Sequence, residues 1–302
     1  MYIQERWQGL VRVRHAADSR GVVPSGAGGG GLAAGGRVRR PRVRVRGAAL
    51  RGDGARASQR SGGKDSYALD TPLTRVGWFQ AELVGEGLRL AGACVGRVYA
   101  SAALRCVETA HALLKGLQAD PSVKVKVEPG LFEFKMWHLV KGMAPFMTPL
   151  ELHTAGYNVD LDYKAQVELD VTTPETLEEF YERNKKVMYS AIEDSEAEGC
   201  NVMFVGHAST LDMAAFALSQ WERGRGPGAG AGAGAGADAV AGAGAQYQVS
   251  GALLRVPYCA LAALRGPPWR LAPPPCPPAI NSASARFDWR TLQPAEPAER
   301  DA

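Results

Sequence analysis

The stretch "NVMFVGHASTLDMA", residues 201–214, decides how the rest of the chain is interpreted. Its residues 202–206 carry no polar side chain, which is typical of a buried strand. His207 follows at once, and Ser209 with Asp212 three places later resembles a capping box that opens a helix. A histidine between the carboxyl end of a strand and a helix start lies where α/β folds bind anionic ligands. A core histidine satisfied by a backbone carbonyl is the alternative that this stretch alone leaves open.

Strands and helices alternate on both sides of this stretch. The pattern predicts strands over 9–15, 95–101, 123–133, 252–264 and 269–275, and helices over 74–88, 102–117 and 173–199. Ser101 is the expected N-cap of the second helix. Thr173 is the expected N-cap of the long third helix, with Pro174 in its first position and Gly199 as its stop. The alternation predicts one α/β domain, a mostly parallel central sheet with helices on both faces.

Composition narrows the class of protein. The chain has 302 residues, 46% of them hydrophobic, which is enough for a sizeable core. No window approaches the apolar run of a membrane span, and the charged amino terminus "MYIQERWQGLVRVRH" does not fit a secretion signal. The five cysteines form no CxxC pair and show no metal-ligand spacing to a histidine. We therefore expect a cytoplasmic protein, with the nucleus as a second compartment, reduced thiols, and neither a metal nor a membrane partner.

Two low-complexity segments divide the chain. Residues 21–63 are rich in Gly, Ala and Arg, and residues 224–245 are rich in Gly and Ala, so both are predicted to be disordered. The predicted order is the first strand with a candidate nucleophile motif in 1–20, the first insert, the main domain in 64–292, and a flexible tail in 293–302. Nine arginines and one aspartate lie between residues 37 and 60. Because no aromatic residues are interleaved there for stacking, we expect no nucleic-acid partner.

Five chemistry-bearing residues lie at or just after predicted strand ends: Arg14, His15, Arg105, Glu133 and His207. In a parallel sheet such positions gather at one edge. Arginine forks match phosphate oxygens, a neutral imidazole can attack phosphorus, and a carboxylic acid can protonate the leaving oxygen. The set therefore predicts phosphoryl transfer to an imidazole, which requires no cofactor.

These residues also carry a family resemblance. The chain resembles the histidine-phosphatase (phosphoglycerate-mutase-like) domain of the ubiquitin-associated and Src-homology-3 domain-containing proteins, or suppressors of T-cell receptor signalling, whose relatives include insect ecdysteroid-phosphate phosphatases. The similar stretches cover most of residues 58–292 and include "QRSGGKDSYALDTPLTRVGWFQAELVGE", "VYASAALRCVETAHALLKGL", "VKVEPGLFEF", "NVMFVGHASTLD", "VPYCALAAL" and "ARFDWR". The resemblance implies a phosphoglycerate-mutase-like fold. It also implies that the protein is a metal-independent phosphomonoesterase that acts on phosphotyrosine protein or a steroid phosphate.

The resemblance also implies roles by position. His15 would be the nucleophile that becomes phosphohistidine, while Arg14 and Arg105 would bind the phosphate. Glu133 would be the general acid and later the base that activates water. His207 would donate to the phosphoryl oxygens. By analogy with the family, the domain would pair as a homodimer.

The first motif departs from the family pattern. The family reads Arg-His-Gly-Glu-Arg, whereas residues 14–18 read "RHAAD". Ala16 replaces a glycine that lets the backbone approach phosphate, and Asp18 stands where a second phosphate-binding arginine is expected. Two alternatives follow: a catalytically impaired domain that binds phosphorylated ligands without turning them over, and a mutase-type enzyme acting on a small phosphorylated sugar acid.

Overall fold

One six-stranded sheet organises the part of the chain that the computed structural model describes. That part comprises residues 7–12, 64–67, 69–138, 142, 146–211, 213–214, 256, 258–266 and 270–276. The strands are β1 (Trp7–Arg12), β2 (Arg97–Ala100), β3 (Val125–Val127), β4 (Val202–His207), β5 (Ala260–Arg265) and β6 (Arg270–Ala272). Their order across the sheet is β3-β2-β4-β1-β5-β6.

Strands β3, β2 and β4 form a parallel unit covered by helices on both faces. β2 pairs in parallel with β3 and with β4. The helices are α1 (Arg75–Leu90), α2 (Leu104–Leu117), α3 (Pro149–Thr154) and α4 (Leu177–Glu198). Alternate residues of β4 join opposite cores: Met203 packs in the core that contains α1 and α2, and Phe204 in the core that contains α4. The predicted α/β class, mostly parallel and helix-covered, is confirmed.

The direction of β1 differs from the expectation of a shared carboxyl edge. β1 runs antiparallel to β4, with Trp7 opposite His207 and Val11 opposite Met203. The amino end of β1 is therefore the end beside His207, and its carboxyl end points to the other edge. A hydrophobic pattern specifies which residues form a strand, whereas direction depends on the connection that follows. The chain between β1 and α1 is too long to impose a direction on β1.

Two helix starts correct the sequence expectations. α2 begins at Leu104, three residues beyond Ser101, and its first N–H donates to Asp70 Oδ1 at 2.9 Å. The cap therefore comes from a distant loop, and Ser101 is not the cap. α4 begins at Leu177, where Thr176 and Glu179 form a reciprocal capping box, so the prediction that Thr173 caps this helix is wrong. A serine or threonine indicates a helix start, but other residues nearby can act as the N-cap in its place.

Gly199 was correctly predicted to end α4. It follows the last helical residue, Glu198, and has a φ of 69°. This left-handed conformation suits glycine, which has no Cβ to clash with the following carbonyl. The chain can therefore turn at once into β4 and deliver His207 to the far edge of the sheet.

Two glycines let α1 and α2 pack closely. A Cβ on Gly116 would lie 1.9 Å from the carbonyl oxygen of Glu82, and one on Gly85 would lie 2.2 Å from that of Leu113. Both neighbours are backbone atoms, which cannot swing aside as a side chain can. This close crossing fixes α2, which carries Arg105, against α1.

Several predictions lie outside the described residues. These are the first insert (21–63), the second insert (224–245) and the tail (293–302), together with Asp212 of the proposed capping box. All described residues belong to the unit formed by Met1–Arg14 and Ala57–Ala302. Within the described ranges, no helix combines the length and hydropathy needed to span a bilayer.

Candidate active site

Arg105, Glu133 and His207 converge at the carboxyl edge of the parallel strands. Arg105 lies in the first turn of α2, directly after β2, and His207 is the last residue of β4. Glu133 lies in the loop after β3, beyond a short 3₁₀ turn at Pro129–Leu131. Nη2 of Arg105 is 2.6 Å from Oε1 of Glu133 and 3.2 Å from Nδ1 of His207. Three of the five predicted site residues thus form one contact group.

The His207 ring is fixed by side chains on both of its nitrogens. Because a guanidinium only donates, Nδ1 accepts from Arg105, so Nε2 carries the proton and donates to Ser101 Oγ at 2.9 Å. The edge of the ring meets Phe132, with the centroids 5.2 Å apart. The ring is fully buried, and within the described residues its two nitrogens meet side chains, in contrast to the core histidine bonded to a backbone carbonyl. Ser101, expected to cap a helix, instead orients this histidine.

Burial makes His207 a neutral imidazole. Loss of solvent lowers the pKa of His207 to about 3; Glu133 opposes this shift, and Arg105 adds to it. At neutral pH the ring therefore donates through Nε2 and accepts through Nδ1 without carrying charge. Its backbone N–H donates to Thr210 Oγ1 at 2.8 Å, which ties the end of β4 to the helical turn that follows.

Glu133 is held as a carboxylate by its neighbours. Burial alone would raise its pKa, but the charge that His207 can carry, a hydrogen bond from His138 and the charge of Arg105 outweigh burial and lower the pKa of Glu133 to about 2. Its Oε1 accepts from Arg105 and lies 3.0 Å from Nε2 of His138. Without a bound anion, Glu133 is thus ionised and paired with Arg105.

Arg183 of α4 holds the backbone that carries Glu133. Its Nη1 donates to the carbonyls of Gly130 and Phe132 at 2.7 and 2.6 Å, and its Nη2 donates to the carbonyl of Glu133 at 3.0 Å. Its remaining donors bind Glu175. The planar guanidinium has five N–H donors in a fixed geometry, so each hydrogen bond that it makes helps to orient the others. It can therefore hold several backbone carbonyls at once. Sequence reasoning missed Arg183, since the carbonyls that it binds are about 50 residues away in the sequence.

Glu128, five residues before Glu133, has a structural role. Its side chain is fully buried and accepts from the Gly130 N–H at 2.9 Å, the Tyr163 hydroxyl at 2.6 Å and the Gln166 N–H at 2.7 Å. A buried carboxylate that accepts three hydrogen bonds is held in its loop by them. Glu128 therefore shapes the turn that precedes Glu133.

Arg14 and His15 lie outside the described residues, so their proposed places in the site stay predictions. The described strand that precedes them, β1, places Trp7 opposite His207 and ends at the other edge of the sheet, so the strand itself does not lead Arg14 and His15 toward Arg105, Glu133 and His207. The structure thus supports the Arg105, Glu133 and His207 part of the site, while the nucleophile and the second arginine rest on the sequence.

The fold and the sequence place the chain in the class of histidine phosphatase superfamily proteins. The sequence profile of the histidine phosphatase superfamily (branch 1) matches residues 56–230, and the chain belongs to this superfamily. It is 53% identical to the ecdysteroid-phosphate phosphatase of Bombyx mori over 78% of the chain, which is 33% of that protein. It is 39% identical to the mouse ubiquitin-associated and SH3 domain-containing protein B over 51% of the chain and 24% of that protein.

A solved structure is also similar. The ecdysone phosphate phosphatase of Bombyx mori, crystallised in complex with tungstate, matches with a TM-score of 0.64 and 54% identity. The match covers 78% of this chain and 83% of that one. The expected family resemblance is confirmed. The chain spans about a third or less of the length of the curated relatives it matches.

Proposed function

We propose that the chain hydrolyses phosphate monoesters through a phosphohistidine intermediate, without a metal ion. The observation that carries the proposal is the contact group of Arg105, Glu133 and His207. It brings together a phosphate-binding cation, a candidate acid and a neutral imidazole donor at one edge of the sheet. Such preorganised charge is the main requirement of phosphoryl transfer.

The proposed reaction has two displacements. Because β1 ends at the edge away from His207, the proposal requires the chain after Arg12 to return to the His207 edge. A nitrogen of the His15 imidazole then attacks phosphorus, the bond from phosphorus to the ester oxygen breaks, and Glu133 donates its proton to the departing alcohol. Water then attacks the phosphohistidine, Glu133 removes a proton from it, and the P–N bond breaks to release phosphate and restore the imidazole. For His207 to donate to a phosphoryl oxygen, its one N–H, on Nε2, must exchange the Ser101 hydroxyl for that oxygen, while Arg14 and Arg105 bind the phosphoryl oxygens.

Glu133 needs a proton before the first displacement. In the structure it is an ionised partner of Arg105, with a pKa of about 2. A phosphate dianion would draw Arg105 toward its own oxygens and place negative charge beside the carboxylate. Both changes raise the pKa of Glu133, so substrate binding itself promotes uptake of the proton that the leaving group receives.

For the substrate we propose a steroid phosphate of the ecdysteroid kind. The support is the 53% identity to the ecdysteroid-phosphate phosphatase, compared with 39% to the ubiquitin-associated and SH3 domain-containing protein B. Phosphotyrosine protein is the second candidate. A homodimer and a cytoplasmic location stay predictions from the family and from composition.

A phosphate-binding domain without turnover is the second candidate function. It is favoured by "RHAAD", in which Asp18 replaces an expected cation. A carboxylate near a phosphate dianion opposes binding by about 1 kcal/mol when solvated and by more when buried. The mutase alternative has less support, since the relatives above carry phosphatase names.

Hydrolysis of p-nitrophenyl phosphate in the presence of a chelator tests the proposal. We expect turnover that His15→Ala abolishes and that His153→Ala, an exposed histidine of α3, leaves unchanged. Acid-quench trapping with labelled substrate should place the phosphoryl group on His15. Vanadate binding without turnover in the wild type would identify the binding domain instead, and label on another histidine would overturn the assignment of the nucleophile.

A further inference from the structure

A second histidine contacts the candidate acid without belonging to the motif set. His138 follows a 3₁₀ turn at Lys135–Trp137, and its Nε2 lies 3.0 Å from Oε1 of Glu133. Both side chains are 14% exposed. The sequence offers no motif for His138.

Local structure fixes His138 in this place. Its backbone N–H donates to the Lys135 carbonyl at 2.9 Å, closing the turn that begins just after Glu133. Its ring packs on Phe132, with the centroids 5.2 Å apart. Lys135 is itself held, because its N–H donates to Glu175 Oε2 at 3.1 Å. The imidazole and the carboxylate are therefore delivered by one short, constrained segment.

The contact distinguishes the two oxygens of Glu133. Among the described residues, Oε1 receives the hydrogen bonds, from Arg105 at 2.6 Å and from His138 at 3.0 Å. Nδ1 of His207 is 3.5 Å from the same oxygen. Oε2 is then the oxygen left to meet a substrate. Once a phosphate engages Arg105, His138 is the donor to Oε1 that remains in the described part of the chain.

We propose that His138 is a positioning residue for the acid: its Nε2–H holds Oε1 of Glu133 and so aims Oε2 at the leaving oxygen. This inference rests on the proposed function. A residue that acts through the acid affects poor leaving groups most, because they depend on protonation, whereas a residue that only maintains the fold affects all substrates alike.

The test compares two substrates and two variants. His138→Phe keeps the ring packing on Phe132 and removes the donor, while His138→Gln restores a donor. For His138→Phe we expect kcat to fall by about 10- to 100-fold on phenyl phosphate and only by a few-fold on p-nitrophenyl phosphate, with His138→Gln recovering most of the loss. His153→Phe is the matched control. Equal losses on both substrates, or a glutamine variant no better than phenylalanine, overturn the proposal.

A second measurement separates this inference from the proposed function. The carboxyl ¹³C resonance of Glu133 should titrate at higher pH in His138→Phe than in the wild type, with His138→Gln between them, because removing a donor destabilises the carboxylate. An unchanged titration overturns the role of His138 even if the enzyme is active. An inert wild type with the expected titration overturns the proposed turnover and leaves the contact between His138 and Glu133 supported.

Discussion

Nη2 of Arg105 and Oε1 of Glu133 form an ion pair at 2.6 Å, with side chains only 4% and 14% exposed. The cation that would bind phosphate is thus already neutralised by the residue that would protonate the leaving group. A phosphate competes with Glu133 for Arg105, which couples substrate binding to the protonation of the acid.

Removing the cation of this pair should affect both binding and stability. For Arg105→Ala we expect phosphate or vanadate affinity to fall about 10- to 100-fold, since hydrogen bonds to charged groups contribute about 1.5–3 kcal/mol. Because Glu133 is left buried without its partner, the free energy of unfolding should fall by about 3–5 kcal/mol. Isothermal titration and urea unfolding measure the two effects. Arg75→Ala, at an exposed position, is the control, and unaltered anion affinity contradicts the assignment.

Removing the charge of the acid should separate binding from turnover. In Glu133→Gln the size of the side chain is kept, but it can neither donate nor accept the catalytic proton. We expect kcat to fall by about 10²- to 10⁴-fold. Vanadate should bind at least as tightly as in the wild type, because Arg105 is released and the repulsion is gone. Stopped assays measure kcat, and calorimetry measures vanadate binding. Glu178→Gln, at an exposed position, is the control. Retained turnover in Glu133→Gln would rule out Glu133 as the general acid.

The lowered pKa of His207 should make stability depend on pH. Its folded pKa of about 3 lies below its ordinary value of 6.5, so its contribution is complete above pH 6.5 and is lost as the pH falls toward 3. The slope approaches about 1.4 kcal/mol per pH unit for one proton. The free energy of unfolding, measured with urea, should depend less on pH in His207→Gln than in the wild type across this range. Parallel profiles of the two proteins contradict a buried neutral ring; His153→Gln should match the wild type.

The Ser101 hydroxyl should matter for the site more than for the fold. Ser101→Ala removes the oxygen partner of His207 Nε2, at 2.9 Å in the structure, and leaves this buried N–H with the weaker contact to Cys106 Sγ at 3.7 Å. We expect a loss of about 1–3 kcal/mol in stability and a fall in kcat of about tenfold with little change in KM. Thermal unfolding and steady-state kinetics measure both. Ser122→Ala, in an exposed turn, should change neither, and a wild-type kcat in Ser101→Ala would show that the ring needs no such anchor.

The crossing of α1 and α2 should not accept a methyl group at Gly116. A Cβ there would lie 1.9 Å from the Glu82 carbonyl, so the helices must separate. We expect Gly116→Ala to destabilise by about 1–3 kcal/mol or more in urea unfolding. In Gly77→Ala the tightest contact of the added atom is 3.3 Å, to the end of the Leu73 side chain, and its contacts with Leu73 Cβ and Thr74 Oγ1 are an ordinary 3.6 Å, so the change should stay within about 1 kcal/mol. Equal stability of the two variants would contradict a backbone-limited crossing.

The site residues predicted from sequence differ in how well local pattern defines them. Arg105, Glu133 and His207 each follow a recognisable strand, and the carboxyl ends of parallel strands must meet at one edge. Ser101 was misinterpreted and Arg183 was missed because their partners, His207 and the carbonyls of residues 130–133, are distant in sequence. His138 lies only five residues from Glu133, and that spacing after a candidate acid was the one signal that could have revealed it.

The sequence by itself determined the α/β class, the superfamily and the strand ends that carry charge, because periodicity and motif are properties of neighbouring residues. Only the tertiary structure decided which donors fix each ring and carboxylate, and that β1 runs against β4 with Trp7 beside His207. Strand direction and hydrogen-bond partners depend on contacts between segments about 30 to 200 residues apart. No local pattern encodes the geometry of such contacts, since packing selects among many partners of equal chemistry.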